Sequence, residues 1–193
     1  MAKTRLEAFT DAIIAIVMTI LVLEFEAPKE PTLTAILEMK FQFIIYLISF
    51  LTLTIYWINH HSIFQVVHHV SNGIVWLNTI LILFMSLIPF TTSYVDIHVG
   101  ARVPELIYGL VMLCTDIVWL FLTKLLVKEH GKNSDIKKAI ADYKKSYITI
   151  TLIIIGIIIG IFIPFITLVA CILSLLPWII PNKKIEKIMK NKL

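Results

Sequence analysis

The sequence RLEAFTDAIIAIVMTILVLEF, residues 5–25, places three charged side chains at the start of a segment that is otherwise almost wholly apolar. The charges are Arg5, Glu7 and Asp11. The apolar residues that follow are numerous enough to cross a bilayer core of about 30 Å at about 1.5 Å per helical residue. Charged side chains close to hydrocarbon need partners and mark either a pathway or a structural anchor. The segment therefore predicts a first membrane-spanning helix with a functional or anchoring site at its start.

Further apolar segments indicate that the whole chain is an integral membrane protein. Of its 193 residues, 59% are hydrophobic, and its mean hydropathy is +0.91. The long apolar stretch 147–181 is expected to break near Pro164, because proline removes a helix hydrogen bond and disfavours helix in the residue before it. The expected fold is all-α, a single domain over residues 1–193 with six spans near 5–26, 38–61, 72–95, 103–126, 147–163 and 165–181.

Lysine and arginine are distributed unevenly between the two sides of this six-span arrangement. One side holds Lys3, Arg5, seven lysines between residues 124 and 145, and five between residues 183 and 192. The other side holds Lys29, Lys40 and Arg102. Basic loops stay in the cytoplasm, so we expect a multi-pass protein of the cell membrane with both termini cytoplasmic. The basic tail fits either an amphipathic helix on anionic lipid or a solvated end.

Successive residues of a helix turn by about 100°, which groups the residues of the first helix into two faces. One face comprises Phe9, Ala12, Ile16, Thr19, Ile20, Leu23 and Ala27, and the opposite side comprises Ile14, Val17, Leu21 and Val22. The first face fits two interpretations. It either packs against other helices, with Thr19 bonded to the backbone carbonyl one turn earlier, or it lines a pathway.

Polar residues recur near the cytoplasmic ends of the second and third helices. The second helix ends in the cluster Asn59, His60, His61, His68 and His69. Two helical turns separate His61 from His68 by about 10 Å, which is too far for both to bind one metal ion. A histidine is better placed here as a partner of Asp11 or as a donor to a carbonyl group. The third helix carries Asn78 one turn into the membrane, where an amide needs partners.

Asp116, in the segment LCTDIVWLF of the fourth span, is the one carboxylate placed well inside the membrane. A buried charge is costly unless it is paired, so this position needs an explanation. Two interpretations stay open. Asp116 is either a cation-attracting or proton-binding group, or a neutral acid hydrogen-bonded to a neighbouring helix.

The sequence lacks the motifs of common enzyme classes and of ordinary potassium channels. It has no Walker loop, no HExxH zinc helix and no GxSxG elbow. The TVGYG carbonyl filter is also missing. We therefore expect no enzyme activity, no cofactor, no dedicated metal site and no nucleic-acid partner. The spans also lack the paired, interrupted helices of inverted-repeat transporters.

The motif Arg5-x-x-x-Phe9-Thr10-Asp11 resembles the RxxxFSD signature that opens the first helix of the endo-lysosomal transmembrane protein 175 potassium-channel family. Three further segments are similar to that family: Trp57-x-x-His60-His61, Trp76-x-Asn78 and Ile88-Pro89-Phe90. The resemblance is specific over residues 5–95 and only topological beyond them. Thr10 replaces the serine of the signature and keeps its hydroxyl group as a cap or local acceptor.

The resemblance implies a homotetramer in which four copies of the first helix surround a central pore. The positions that match the family's constriction and filter are Ile16, Thr19, Ile20 and Leu23, which already share a helix face. Aliphatic rings cannot replace the water that an ion loses, so such a channel passes potassium moderately better than sodium and closes by dewetting. The family also implies a proton conductance. The alternative is a secondary transporter or metal-ion exporter that uses Asp116 and the second-helix histidines.

The resemblance also implies roles for the polar residues around the first helix. A structural network at its cytoplasmic end is expected to contain Arg5, Phe9, Thr10, Asp11, Trp57, His60, His61, Trp76 and Asn78. This network holds the helix in register and does not touch the ion. Glu24 and Glu26 are expected at the outer mouth, where they concentrate cations. Membrane lipid and potassium ions are the other expected partners.

Overall fold

The structure is a computed structural model that describes residues 2–131, 136–137 and 143–179. The helices whose bounds fall in this part of the chain are α1 (Lys3–Leu23), α2 (Leu33–Glu38), α3 (Lys40–Gln65), α4 (Asn72–Ser86), α5 (Ile88–Ile97), α6 (Arg102–His130), α7 (Lys144–Gly160) and α8 (Phe165–Ile179). The described residues contain no β-strand. The all-α class predicted from the sequence is confirmed for these residues.

Four helical stretches are long and apolar enough to cross a membrane by length and composition. They are α1, α3, α4 continued by α5, and α6, with 21, 26, 26 and 29 residues. The remaining helices α7 and α8 have 17 and 15 residues. This composition and these lengths identify an integral membrane protein.

Proline marks both interruptions of the long apolar segments. Pro89 lies in the first turn of α5, and the single residue Leu87 separates that helix from α4. Proline fits the first turn of a helix because the backbone N–H that it lacks would have no hydrogen-bond partner within the helix. Pro164 lies in the short turn between α7 and α8, where the sequence predicts a break. The first helix ends at Leu23, so Glu24 and Glu26 follow it in the loop.

Glycine allows α7 and α8 to pack closely against each other. A Cβ atom added to Gly160 would lie 1.9 Å from Oγ1 of Thr167, and one added to Gly156 would lie 2.2 Å from Cβ of Ala170. Neither position has room for a side chain. The two helices therefore form a tight antiparallel pair, which packs against α6.

One side of α1 is buried against α3, α4 and α5. Its buried aliphatic side chains are Leu6, Ile14, Val17 and Leu21, each at most 3% exposed. Beyond the end of the helix, the Phe25 ring lies 5.0 Å from the ring of Phe43 and 4.9 Å from that of Tyr46, measured between centroids. These contacts attach both the length and the outer end of α1 to α3.

The short helix α2 was not predicted from the sequence. Its N-cap is Thr32, whose side chain accepts a hydrogen bond from the Ala35 amide at 3.2 Å. The threonine before an apolar run, in PTLTAILE, is the signal that identifies such a helix start. None of its residues is buried, so α2 covers no core.

Two basic segments support the expected topology. The tail 183–192 lies wholly outside the described residues, whereas the loop 124–145 is described except for residues 132–135 and 138–142. The amphipathic and the solvated interpretations of the tail therefore both stay predictions.

Candidate functional site

The aliphatic face of α1 predicted from the sequence is exposed on the surface of the chain. The exposed fractions are 53% for Ile16, 37% for Ile20 and 77% for Leu23. Ala12 and Thr19 are exposed as well. Val22, expected on the opposite side, is also exposed at 52%, so the uncovered surface is wider than the predicted face. This part of α1 is thus available to lipid or to a second copy of the chain.

Thr19 is the only residue with a polar side chain on α1 between Ala12 and Leu23. Its hydroxyl group donates to the backbone carbonyl of Ile16 at 2.7 Å. This is the local bond expected for a threonine in an apolar helix. The donor is therefore used within the helix, while the oxygen lone pairs stay on the exposed face. A helix or ion that approaches this face therefore encounters a hydrogen-bond acceptor at the level of Thr19.

A buried chain of hydrogen bonds joins α1 to α4 and α3. The Asn78 amide nitrogen donates to Oγ1 of Thr10 at 2.8 Å, and Thr10 donates to the Leu6 carbonyl at 2.9 Å. Oδ1 of Asn78 lies 2.8 Å from Nε2 of His60. Because the amide oxygen can only accept, this network assigns the ring hydrogen to Nε2 of His60. Thr10, Asn78 and His60 are all at most 2% exposed.

A second contact joins α1 to α3 closer to the surface. The Trp57 indole nitrogen donates to Oδ1 of Asp11 at 3.0 Å. The Trp57 ring stacks near His61 with 6.1 Å between centroids, and His61 is in turn 2.9 Å from the Gln65 amide nitrogen. Asp11 therefore faces the indole of Trp57 and not a histidine.

Three residues of the expected network do not take part in these hydrogen bonds. Phe9 is 49% exposed and Trp76 is 68% exposed, and Arg5 is also exposed. Arg5 and Trp76 form no side-chain hydrogen bond or ion pair with any described residue. Among the described residues the network thus consists of two separate branches, Thr10 with Asn78 and His60, and Asp11 with Trp57 and His61.

The acidic residues after α1 lie at the other end of the helix. Glu24 and Glu26 are exposed and line a wide open groove together with Asp96 of α5. This groove is continuous with the end of α1 at Leu23. Its carboxylates produce a negative surface beside the exposed aliphatic face.

Sequence reasoning did not predict the partners in two buried polar clusters. In one, the Thr92 hydroxyl lies 2.7 Å from that of Ser49, and the Ser49 hydroxyl lies 3.1 Å from that of Tyr108. In the other, the Tyr56 hydroxyl donates to Oδ1 of Asp116 at 2.5 Å. Each cluster joins helices distant in sequence, and single hydroxyl residues in apolar segments give no pairing signal.

These observations define a class of protein: a polytopic, all-helical membrane protein whose first helix is fixed by buried polar side chains and leaves an aliphatic face uncovered. Comparison with known proteins agrees with this. A family model described as "Endosomal/lysosomal potassium channel TMEM175" matches residues 5–89. A potassium channel from Chryseobacterium sp. (strain P1-3) is 36% identical over 191 residues, which cover 99% of this chain and 100% of that protein. The chain therefore belongs to the TMEM175 family.

Two matches from Chamaesiphon minutus extend the comparison. A potassium channel of strain ATCC 27169 / PCC 6605 is 31% identical over 129 residues, covering 62% of this chain and 64% of that protein. The crystal structure of a lysosomal potassium-selective channel TMEM175 homolog superimposes with a TM-score of 0.68 at 25% identity, covering 91% of this chain and 97% of the other. The resemblance found in the sequence is thus confirmed, and the likeness in fold covers nearly the whole chain.

Proposed function

We propose that this protein is a potassium-selective cation channel whose α1 helices line the pore. The observation that carries the proposal is the exposed aliphatic face of α1, 53% exposed at Ile16 and 77% at Leu23, in a member of a potassium-channel family. In a single subunit this face is not needed for packing, because the opposite side of α1 already packs against the other helices.

The pore requires assembly, and we propose a homotetramer of six-span subunits in the cell membrane with both termini cytoplasmic. In this arrangement α7 and α8 supply the fifth and sixth spans. A helix of 17 residues measures about 25 Å at about 1.5 Å per residue, so each of the two crosses most of the hydrocarbon core. Potassium is the permeant ion, and no cofactor is needed.

The selectivity of such a pore follows from its aliphatic lining. Rings of Ile16, Ile20 and Leu23 offer no ligand to a dehydrated ion, so the ion that sheds or deforms its water shell more easily passes faster. That ion is potassium, and the preference over sodium is moderate because no carbonyl cage assists it. Thr19 supplies acceptor oxygens between two of these rings. Closure requires only that the aliphatic rings approach until water leaves.

The charged and aromatic residues around the pore act indirectly. Asp11, Thr10 and their partners hold α1 at a fixed rotation, while Arg5, Phe9 and Trp76, exposed in one subunit, contact neighbouring subunits. Glu24 and Glu26 surround the outer mouth and raise the local cation concentration.

The transporter or metal-exporter alternative has less support. The His60 side chain is hydrogen-bonded to Asn78, and the Asp116 side chain is hydrogen-bonded to Tyr56. In the described part of the chain, no group of three His, Cys, Asp or Glu side chains is arranged to hold a metal ion.

Cation flux in proteoliposomes tests the proposal. Ile16→Asn places an amide in the constriction and should raise flux or reduce the preference for potassium over sodium. Leu110→Asn is the matched control, because Leu110 is also 53% exposed but lies on α6, and its flux should match that of the unmodified protein. Equal flux in all three proteins would show that α1 does not line the pathway. Flux that saturates at a low rate and requires a counter-ion would support the transporter.

A proton conductance is a further part of the proposal. It is tested in the same vesicles with a pH-sensitive dye in potassium-free buffer. Acidification that follows an imposed voltage and increases in Ile16→Asn supports proton passage through the same pore, whereas no acidification in either protein contradicts it.

A further inference from the structure

The last turn of α6 is hydrogen-bonded to the turn 66–71, which connects α3 to α4. The backbone amides of His68 and His69 donate to Nε2 of His130 at 3.3 and 3.4 Å. Neither amide forms a backbone–backbone hydrogen bond with a described residue. His130, the last residue of α6, therefore supplies the hydrogen-bond acceptor for the middle of this turn.

The other ring nitrogen of His130 has a partner that can only accept. Nδ1 lies 2.9 Å from the backbone carbonyl oxygen of Leu126, one turn earlier in α6. A carbonyl oxygen has no hydrogen to donate, so the ring hydrogen is on Nδ1. Nε2 then keeps its single lone pair, which the two amides share. These contacts define His130 as a neutral imidazole with one tautomer.

The contact between His130 and the turn is incompatible with a protonated ring. A proton added to this tautomer binds at Nε2, because Nδ1 already carries a hydrogen. The new N–H group would point at two amide N–H groups, and both amides would lose their acceptor. The turn can therefore be held by the neutral form of His130 only.

The titratable groups beside the ring come from both elements. From the turn, the His69 ring stacks on the His130 ring with 4.1 Å between centroids, and the His68 ring centroid is 6.4 Å away. A positive charge on either ring would repel an imidazolium at His130. From α6, the charged group that acts on His130 is Glu129. Glu129 attracts an imidazolium, but it does not remove the two N–H groups that face Nε2.

A second attachment holds the start of α4 without His130. The Ser71 hydroxyl donates to Oε1 of Glu129 at 2.6 Å and accepts from the Ile74 amide at 3.3 Å. A Cβ atom added to Gly73 would lie 3.1 Å from Cδ2 of Leu125, so the first turn of α4 also packs closely on α6. Loss of the His130 contact should therefore release the middle of the turn and leave α4 in place.

We propose that His130 is a proton-controlled latch on the turn 66–71, in which the neutral imidazole holds the turn on α6 and protonation at Nε2 releases it. The closed form excludes the proton, whereas the released form binds it with the pKa of an unperturbed histidine, about 6.5. The latch is therefore fully stable above about pH 6.5. Below that pH the ratio of released to closed form rises by up to about tenfold per pH unit.

The position of the turn gives the latch a route to α1. The turn joins the helix that carries Trp57 to the helix that carries Asn78, and both side chains form hydrogen bonds with α1. Acid on this side of the membrane thus acts on the two helices that hold α1. An effect on conduction would rest on the proposed function, whereas the latch itself does not depend on the pore.

Amide hydrogen exchange of the assembled protein in lipid nanodiscs tests the latch, at residue resolution and corrected for the intrinsic effect of pH on exchange. Between pH 7.5 and pH 5.5, the protection of the His68 and His69 amides should fall by up to about tenfold per pH unit below about pH 6.5. The Ile74 amide, which bonds Ser71, should keep its protection and serves as the internal reference.

Two variants of His130 separate the acceptor from the titration. His130→Ala removes the acceptor, so the two turn amides should be weakly protected at every pH. His130→Gln has an amide oxygen that does not titrate, so their protection should not depend on pH. His98→Gln is the matched control, because Nδ1 of His98 also contacts a backbone carbonyl one turn earlier, that of Tyr94 at 3.3 Å. It should keep the pH dependence of the unmodified protein.

The latch is overturned if the turn amides of the unmodified protein are equally protected at pH 7.5 and pH 5.5. It is also overturned if His130→Gln keeps the pH dependence, since another group, such as His68 or His69, would then be the one that titrates. Full protection in His130→Ala would contradict the role of Nε2 as acceptor. Potassium flux is not the readout, so failure of the latch and failure of the channel proposal are distinguishable.

Discussion

The bond between Asn78 and Thr10 gives the most direct test of how α1 is held. Asn78 is fully buried and uses its amide twice, donating to Thr10 at 2.8 Å and accepting from His60 at 2.8 Å. Asn78→Leu keeps a similar volume but removes both bonds. It leaves the His60 ring N–H and the Thr10 oxygen buried without these partners.

The expected loss follows from the two groups left unpaired. Each buried polar group without a partner costs about 1–3 kcal/mol, so Asn78→Leu should lower the free energy of unfolding by about 2–6 kcal/mol. Thr10→Val removes only the partner of the Asn78 amide and should cost about 1–3 kcal/mol. Thr10→Ser keeps the hydroxyl group and should stay close to the unmodified protein.

Reversible unfolding in mixed detergent micelles measures these differences, with the melting of the assembled protein as an independent readout. The double variant Thr10→Val with Asn78→Leu should cost less than the two single changes together, because both disrupt the same bond. The reasoning is refuted if Asn78→Leu and Thr10→Ser are equally stable, or if the two costs simply add.

Two further perturbations separate anchoring from conduction. Asp11→Ala removes the acceptor of the Trp57 indole at 3.0 Å and should reduce assembly or thermal stability more than ion selectivity, as measured by size-exclusion chromatography and bi-ionic potentials; a stable assembly with altered selectivity would contradict the anchor role. Glu24→Gln combined with Glu26→Gln should lower potassium flux at low ionic strength and leave it nearly unchanged at high salt, where exposed charges are screened; an equal reduction at both salt concentrations would argue against an electrostatic effect.

The sequence was sufficient to identify the all-helical class and the exposed face of α1, because both depend on periodic apolar patterns. Residues such as Ile16 and Val17 have similar hydrophobicity, yet the 100° geometry separates the exposed position from the buried one. Periodicity failed at Val22, which is exposed because the surface of α1 that the rest of the chain leaves uncovered is wider than one helical stripe.

The pairing of polar side chains was less predictable. The sequence placed Asp11, His60 and Asn78 near one another. It did not determine that Trp57 forms a hydrogen bond with Asp11 and that Asn78 forms one with His60. These choices depend on the relative rotation of α1, α3 and α4, which is set by packing over their whole length. For Asp116 the sequence left two interpretations open, and its bond to Tyr56 of α3 shows that the carboxyl group joins neighbouring helices.

The helix α3 links these sites because four nearby side chains point toward different neighbours. Tyr56 bonds Asp116 of α6, while the next residue, Trp57, bonds Asp11 of α1. One turn further, Asn59 donates to the Trp178 carbonyl of α8 at 3.3 Å, and His60 bonds Asn78 of α4. A rotation of α3 that improves one of these bonds must strain the others, since all four side chains share about one helical turn. The position of α1, and with it the proposed pore lining, is therefore constrained by contacts on the far side of α3.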